Sequence, residues 1–420
     1  MSSKVAKSTS EASSDVSWCE NDSDVAVDLV TELERYDPFT EFLLAPHDPP
    51  EPYGLRSLAS DGPRAEDIAN ANAPPLFRPR KELDVDRFAR IEVIKPISTG
   101  IQKGAQILLC KSIQQPTFIR ANSHAAFPVY PDGKSSLLVA KVFDPLFYSD
   151  DRVSLSGPYG GVTAADEALS RETAVYDDLF KNNLTGYPHL APEYYGCWAT
   201  HIEVSDTGES RFVGLILMEY INGLSIHDLC TSEGLIPTPR RGPVLLDRDT
   251  RPLDRPLLKK LDMEVETRQR IVAILLDKVV SQIRVGIDHE EVNPRNVLVS
   301  FRNNGKYLSA EAERPRVVMV DYNMSTVYNK TTSWSPKGRR SEWVNDKPPH
   351  PWIHFDAENM AMFEGWLPEP LWRMGGLDRW MVHTFGAFDG SDVDSKYCSY
   401  EEAFRKPWKV RQILPPRIEE

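Results

Sequence analysis

The chain has 420 residues, 41% hydrophobic and 10% aromatic, enough apolar material for a core and too much for a chain disordered throughout. Its formal net charge of −13 excludes a dedicated nucleic-acid binder, which needs a basic footprint, so no nucleic-acid partner is expected. That length holds two ordinary domains or a single large domain of two lobes. Residues 1–84 read as a largely disordered N-terminal extension. Met1-Ser2-Ser3-Lys4 opens a polar, Ser-rich run with no apolar leader, so no signal peptide is expected. Val25, Leu29, Leu33 and Tyr36 give a short helical pattern over 24–36, and proline clusters at 46–52 and 74–79 keep the chain extended.

From Arg87 the texture changes. Residues 90–97 (RIEVIKPI) and 105–113 (AQILLCKSI) read as strands around a turn containing Gly100 and Gly104, and 135–143 (SSLLVAKVF) reads as a third. Leu169, Ala174, Val175 and Leu179 predict a helix over 164–179, and strands follow at 194–201 and 212–220. Residues 231–262, rich in Pro, Arg and Asp, read as a surface insertion. Residues 264–285 form the strongest helical pattern, with Ile271, Leu275, Val279 and Ile283 on one face. A polar hairpin-like stretch (302–313) then leads to a strand at 317–320 that ends on Asp321-Tyr322-Asn323.

Cys19, Cys110, Cys197, Cys230 and Cys398 form no Cys-x-x-Cys pair. They suit a reducing compartment, with no disulfide framework or zinc site. No run of about 18 uncharged apolar residues occurs, so the expected location is intracellular, cytoplasmic or nuclear, with no membrane partner.

Taken singly, a lysine at a strand end is usually solvated, a helix glutamate exposed and an aspartate before Tyr-Asn ordinary turn chemistry. Their joint order and spacing carry the reading. Lys141 ends Leu138-Val139-Ala140-Lys141, Glu172 lies in the next helix and Met218-Glu219-Tyr220 closes the fifth strand. His289 to Asn296 (HEEVNPRN) follows the long helix, and Asp321 follows the next hairpin. The ensemble resembles the protein-kinase signature over about residues 87–390. Its wording is similar to that of fungal kinase-like proteins, through Ala140-Lys141-Val142-Phe143-Asp144-Pro145-Leu146-Phe147-Tyr148 and Pro294-Arg295-Asn296.

The resemblance implies an α+β, bilobal protein-kinase-like fold. A small five-stranded β lobe with one helix would span 85–221, and a mainly α large lobe, shortened at its C-terminal end, 222–400, with 401–420 as a tail. It implies ATP and Mg as cofactors. Lys141 would hold the nucleotide phosphates, aimed by Glu172; the backbone at Met218, Glu219 and Ile221 would read adenine; Gly100 and Gly104 would let backbone N–H groups approach phosphate; and Asn296 and Asp321 would bind magnesium. The catalytic base would be Glu291, acting on a protein or small-molecule hydroxyl acceptor.

The pattern departs at the catalytic loop. His-Arg-Asp is replaced by His289-Glu290-Glu291, whose extra methylene moves the carboxylate by about 1.5 Å, and a misplacement of about 1 Å can cost on the order of a hundredfold in rate. Three readings therefore stand: a phosphotransferase slowed at Glu291, a pseudokinase that binds nucleotide or a partner as a scaffold, and an unrelated α+β interaction protein that mimics these motifs and predicts no nucleotide effect. His289 is expected to be structural. Ala191-Pro192-Glu193 spells the activation-segment motif but precedes the catalytic loop, so it is coincidence. The tryptophans at 334, 343, 352, 366, 372 and 380 are expected to be core, and 331–340 a polar loop that could carry phosphosites.

Overall fold

A computed structural model describes residues 28–49, 87–101, 103–117, 123–128, 137–148, 161–203, 210–231, 236–247, 259–303, 306–308, 314–327 and 347–403. The chain is a mixed α+β protein with a β-rich first half. Six strands form a closed barrel in the order β1-β2-β3-β4-β6-β5. They are β1 (Glu41–Pro46), β2 (Ala89–Ser98), β3 (Gln106–Gln114), β4 (Leu137–Phe143), β5 (Tyr194–Glu203) and β6 (Ser210–Glu219). All the barrel pairings are antiparallel.

The sixth strand corrects two expectations at once. The sheet has six strands instead of five, and residues 28–49 belong to it instead of to a disordered extension. β1 pairs with β2 through Phe42↔Ile91 and with β5 through Ala45↔Ala199. Before it lies the short helix α1 (Leu29–Leu33), whose first turn is capped by the Asp28 carboxylate accepting from the Val30 N–H. This segment is tied to the barrel by buried, paired charges. Arg211 lies 2.5 Å from Glu32 and 2.9 Å from Asp144, and the Tyr36 hydroxyl donates to Asp144 at 2.7 Å. All four residues are no more than 2% exposed.

Period-two alternation sorts the barrel side chains. On β4, Leu138, Ala140 and Val142 enter the barrel interior with Ile91, Val93, Leu108, Trp198 and Leu215. Val139, Lys141 and Phe143 therefore face the opposite way, onto a cleft. The long helix α2 (Gly161–Lys181) covers that outer face. Leu169, Val175, Tyr176 and Leu179 pack with Ile216 and Tyr322 in a second cluster. Leu169 reaches the sheet because position 214 is glycine, where a Cβ would fall 2.2 Å from Leu169 Cδ2. Other buried residues of α2 are polar, among them Glu167, Arg171 and Glu172. A buried polar helix face demands partners, and the site supplies them.

A third cluster surrounds α3 (Val265–Arg284), through Ile271, Leu275, Val279 and Ile283 as the periodicity predicts. Against it lies a small sheet in the order β10-β9-β7, made of β7 (Leu224–Ser225), β9 (Val297–Ser300) and β10 (Arg316–Met319). Beside it, β8 (Ile287–Asp288) pairs with β11 (Thr326–Val327). Beyond α3 the described chain is not mainly helical. It has short helices at Pro351–His354, Gly376–Phe385 and Tyr400–Ala403 among irregular segments. Nor is 231–262 wholly a surface insertion: Leu246 and Leu261 are buried in the third cluster, and Asp247 pairs with Arg302 at 2.6 Å. Among the expected core tryptophans Trp366 is 1% exposed, whereas Trp334, Trp343 and the polar loop 331–340 lie outside the described residues. No described helix is long and apolar enough to cross a membrane.

Candidate functional site

A cleft of about 620 Å³ lies where β2, β3, β4 and β6 meet the segments carrying Asn296 and Asp321. Lys141, Glu172, Met218, Glu219, Ile221, Gly104, Asn296 and Asp321 all line it. At its centre Lys141 Nζ lies 2.5 Å from Glu172 Oε2 and 2.6 Å from Asp321 Oδ1. Three residues, 31 and 149 positions apart along the chain, thus form one ionic cluster. Burial works against the Lys141 ammonium, but the Asp321 and Glu172 charges outweigh it and hold its pKa above the ordinary lysine value. Asp321 is held below the usual carboxylate range, chiefly by Lys141. Glu172, 0% exposed, is pushed up by burial, with Lys141 opposing.

Asp321 is positioned by its backbone as much as by Lys141. It sits in the left-handed region (φ 66°, ψ 66°), which β-carbon-bearing residues rarely adopt and which marks functional sites when the surroundings enforce it. Tyr322 is the enforcing wedge. It is fully buried, its ring 5.3 Å from that of Tyr176 on α2 and 4.6 Å from His289, and Gln282 of α3 donates to its hydroxyl at 2.9 Å. Arg171 of α2 donates to the Asn323 carbonyl at 2.7 Å.

The loop 289–296 is braced by His289, which has the structural role expected of it. His289 Nδ1 accepts from the Glu291 N–H at 3.3 Å, and Nε2 lies 3.2 Å from the Val320 carbonyl. A neutral ring satisfies both contacts, and burial lowers its pKa to about 4. The Asn296 side-chain amide donates to the Glu291 carbonyl at 3.3 Å, which leaves its oxygen turned from that bond. Glu290 also has positive φ (57°), and its carboxylate accepts from the Thr326 hydroxyl. Glu291 is exposed beside the cleft instead of within its lining. Burial and the Asp321 charge push its pKa up, against Asn296 and Lys141.

The glycine turn departs from the expectation. Gly100 and Gly104 have positive φ (154° and 76°), but neither amide is free for phosphate. The Gly100 N–H donates to Gln106 Oε1 at 2.8 Å and the Gly104 N–H to the Phe147 carbonyl at 3.0 Å. The fully buried Gln106 amide also donates to both glycine carbonyls, so the turn is braced from beneath. Lys103, Gly104 and Ala105 line the cleft, and Gly100 does not.

At the other end, Glu219 presents only its backbone. Its carboxylate is gripped by Arg316 at 2.6 and 2.8 Å and accepts the Glu193 N–H at 3.1 Å. This buried staple ties the end of β6 to β10. Arg316, Arg171 and Gln106 are not legible in the sequence, because a lone polar residue in a strand or helix run reads as solvated until its partner is known.

The cluster can bind an anion at Lys141 and a cation at Asp321. Among the described residues no group of three or more His, Cys, Asp or Glu could hold a metal unaided. The oxygens of Asp321 and Asn296 form a two-ligand set that suits magnesium only with further oxygens from a phosphate or water.

No protein-family model and no curated protein matches the chain. Among solved structures, the BubR1 kinase domain matches at 13% identity with a TM-score of 0.31, covering 65% of this chain. The match spans 63% of that domain, less than two thirds of its length.

Proposed function

We propose that the chain is an ATP- and magnesium-dependent phosphotransferase of two-lobed, protein-kinase-like architecture, acting on a hydroxyl acceptor. The observation that carries the reading is Lys141 held between Glu172 and Asp321 at 2.5 and 2.6 Å on the wall of a cleft. A polyphosphate in a poorly solvated cleft needs such counter-charge already in place. Lys141 would meet phosphate oxygens while Glu172 fixes its direction. Glu219, Tyr220 and Ile221 line the same cleft, and their backbone groups would meet the adenine edge. Asp321 and Asn296 would hold magnesium, which when bound neutralises phosphate charge. Glu291 would accept the acceptor's hydroxyl proton as its oxygen attacks the γ-phosphorus and ADP leaves. A glutamate with a raised pKa is the better proton acceptor for that role. The acceptor is a protein or a small alcohol.

The exposed Glu291 with Asp288 and Glu290 beside it favours a second reading, a scaffold that binds nucleotide without efficient transfer, since three neighbouring acids oppose a polyanion. Glu291→Asp separates the two: a large gain in turnover identifies a slowed enzyme, and intact binding with no gain identifies the scaffold.

The test of both is thermal unfolding with ATP, ADP or GTP, with and without magnesium, for the native chain and Asp321→Ala. Nucleotide at 100 times its Kd stabilises by about 2.7 kcal/mol. A magnesium-dependent rise in Tm with ATP, lost in Asp321→Ala, supports the reading. No rise with any nucleotide at millimolar concentration overturns it.

A further inference from the structure

Two consecutive residues of α2 grip one short segment from its two ends. Glu172 reaches Asp321 through Lys141, at 2.5 and 2.6 Å. Arg171 donates from Nη1 to the Asn323 carbonyl at 2.7 Å. Its other terminal nitrogen, Nη2, lies 2.6 Å from Glu167 Oε1, one turn back on the same helix. Glu167 is 3% and Arg171 8% exposed, so this pairing is little screened. A guanidinium is planar and its donors are fixed relative to one another, so the Nη2 bond to Glu167 helps set where Nη1 points.

The mechanics differ at the two ends. Any phosphate that engages Lys141, or cation that engages Asp321, must share the Lys141–Asp321 bond. The Arg171–Asn323 bond involves neither Lys141 nor Asp321, so neither a phosphate nor a cation competes for it. It is the fixed end of a segment whose other end holds Asp321 at φ 66°. That conformation is intrinsically unfavourable for a residue with a β-carbon and must be enforced by neighbours. Tyr322 enforces it sterically, and Arg171 is the charged group that pins the carbonyl two residues on.

We propose that Arg171 is a positioning residue that keeps the Asp321 carboxylate aimed at the metal of a metal–nucleotide complex, acting through the Asn323 carbonyl and oriented by Glu167. This rests on the nucleotide-binding reading above. Groups that orient a metal ligand without touching the metal typically contribute 10–100-fold to metal affinity.

The test measures the Kd of a fluorescent ATP analogue with magnesium and with EDTA, for the native chain, Arg171→Gln, Arg171→Lys, Glu167→Gln and Asp321→Ala, each with its apo Tm. Arg171→Gln is expected to raise the Kd with magnesium about tenfold and to leave the metal-free Kd within about twofold. Arg171→Lys, which keeps the charge, should recover part of the loss. Glu167→Gln retains the guanidinium but loosens its aim, and should give a smaller loss of the same kind. Should Arg171→Gln fail to fold, the lysine and Glu167 variants still decide the matter. Equal weakening with and without magnesium would show a general structural role and overturn the proposal. Magnesium dependence intact in the Arg171 and Glu167 variants but lost in Asp321→Ala would overturn it alone. No magnesium-dependent binding by the native chain would overturn both it and the phosphotransferase reading.

Discussion

Two ionic clusters of the same stoichiometry sit in the barrel half of the molecule. At one, Arg211 lies between Glu32 and Asp144 with the Tyr36 hydroxyl as a further donor; at the other, Lys141 lies between Glu172 and Asp321. Each is one cation between two carboxylates. The first is sealed, with no member more than 2% exposed. The second is open on one side, the Asp321 side chain being 39% exposed. Identical charge chemistry therefore anchors a chain segment where water is excluded and leaves an accessible edge where one carboxylate faces a cleft. The choice of cation follows. The sealed site uses the forked guanidinium, which satisfies several acceptors at once, and the open site the compact ammonium, which can be shared with an incoming anion.

The contrast is broken most forcefully at Arg211. Arg211→Met leaves Asp144 and Glu32 buried without their cation and should lower stability by roughly 3–5 kcal/mol. Chemical denaturation reads the loss, and nucleotide affinity of the folded fraction should stay within about twofold. A large loss of affinity with unchanged stability would erase the distinction between the clusters.

Acid should act next, through the buried His289 that braces the loop beside the open site. The His289 pKa is lowered to about 4 in the folded chain, from an ordinary value of 6.5. Between these values the unfolded chain binds the proton and the folded chain does not, so stability falls as pH drops from about 6.5 to about 4 and is untouched by this group above that window. The loss by pH 4 is roughly 3 kcal/mol. It should shrink in His289→Gln, measured as the difference in denaturation midpoint between pH 7 and pH 4.5.

Lys141→Met tests the open cluster directly. Glu172, already pushed up by burial, can take a proton, so the fold is less harmed than by Arg211→Met. Nucleotide Kd should instead rise at least about tenfold, or about 1.4 kcal/mol, by fluorescence titration. Tyr36→Phe should be the mildest, removing one hydroxyl bond in the sealed cluster for about 1 kcal/mol of stability and no change in nucleotide affinity.

What could be read from the sequence follows from range. The alternation of β4 and the four-residue steps of α3 are local, and both elements lie within two residues of where the pattern places them. Lys141, Glu172 and Asp321 were legible as a set because each sits in a recognisable run of neighbours. β1 was not. Glu41 to Pro46 is a short apolar stretch between prolines, with nothing local to name its partner on β5. Arg211 and Arg316 were missed for the same reason, their partners lying 67 and 97 residues away at Asp144 and Glu219. The glycine turn misled because composition reports backbone freedom but not which side chain, here Gln106, already occupies the amides.

The closure of the barrel by β1 has a consequence for the order of events on the ribosome. The register Ala45↔Ala199 separates the two partners by 154 residues (199 − 45). At about 5–20 residues per second, roughly 8–30 s of translation separate them. Until then β1 can pair only with β2, through Phe42↔Ile91, and the barrel core that takes Phe42 and Leu44 is incomplete. The earliest of the described barrel strands thus gains its second neighbour last, and the seam between β1 and β5 is the step that closes the barrel.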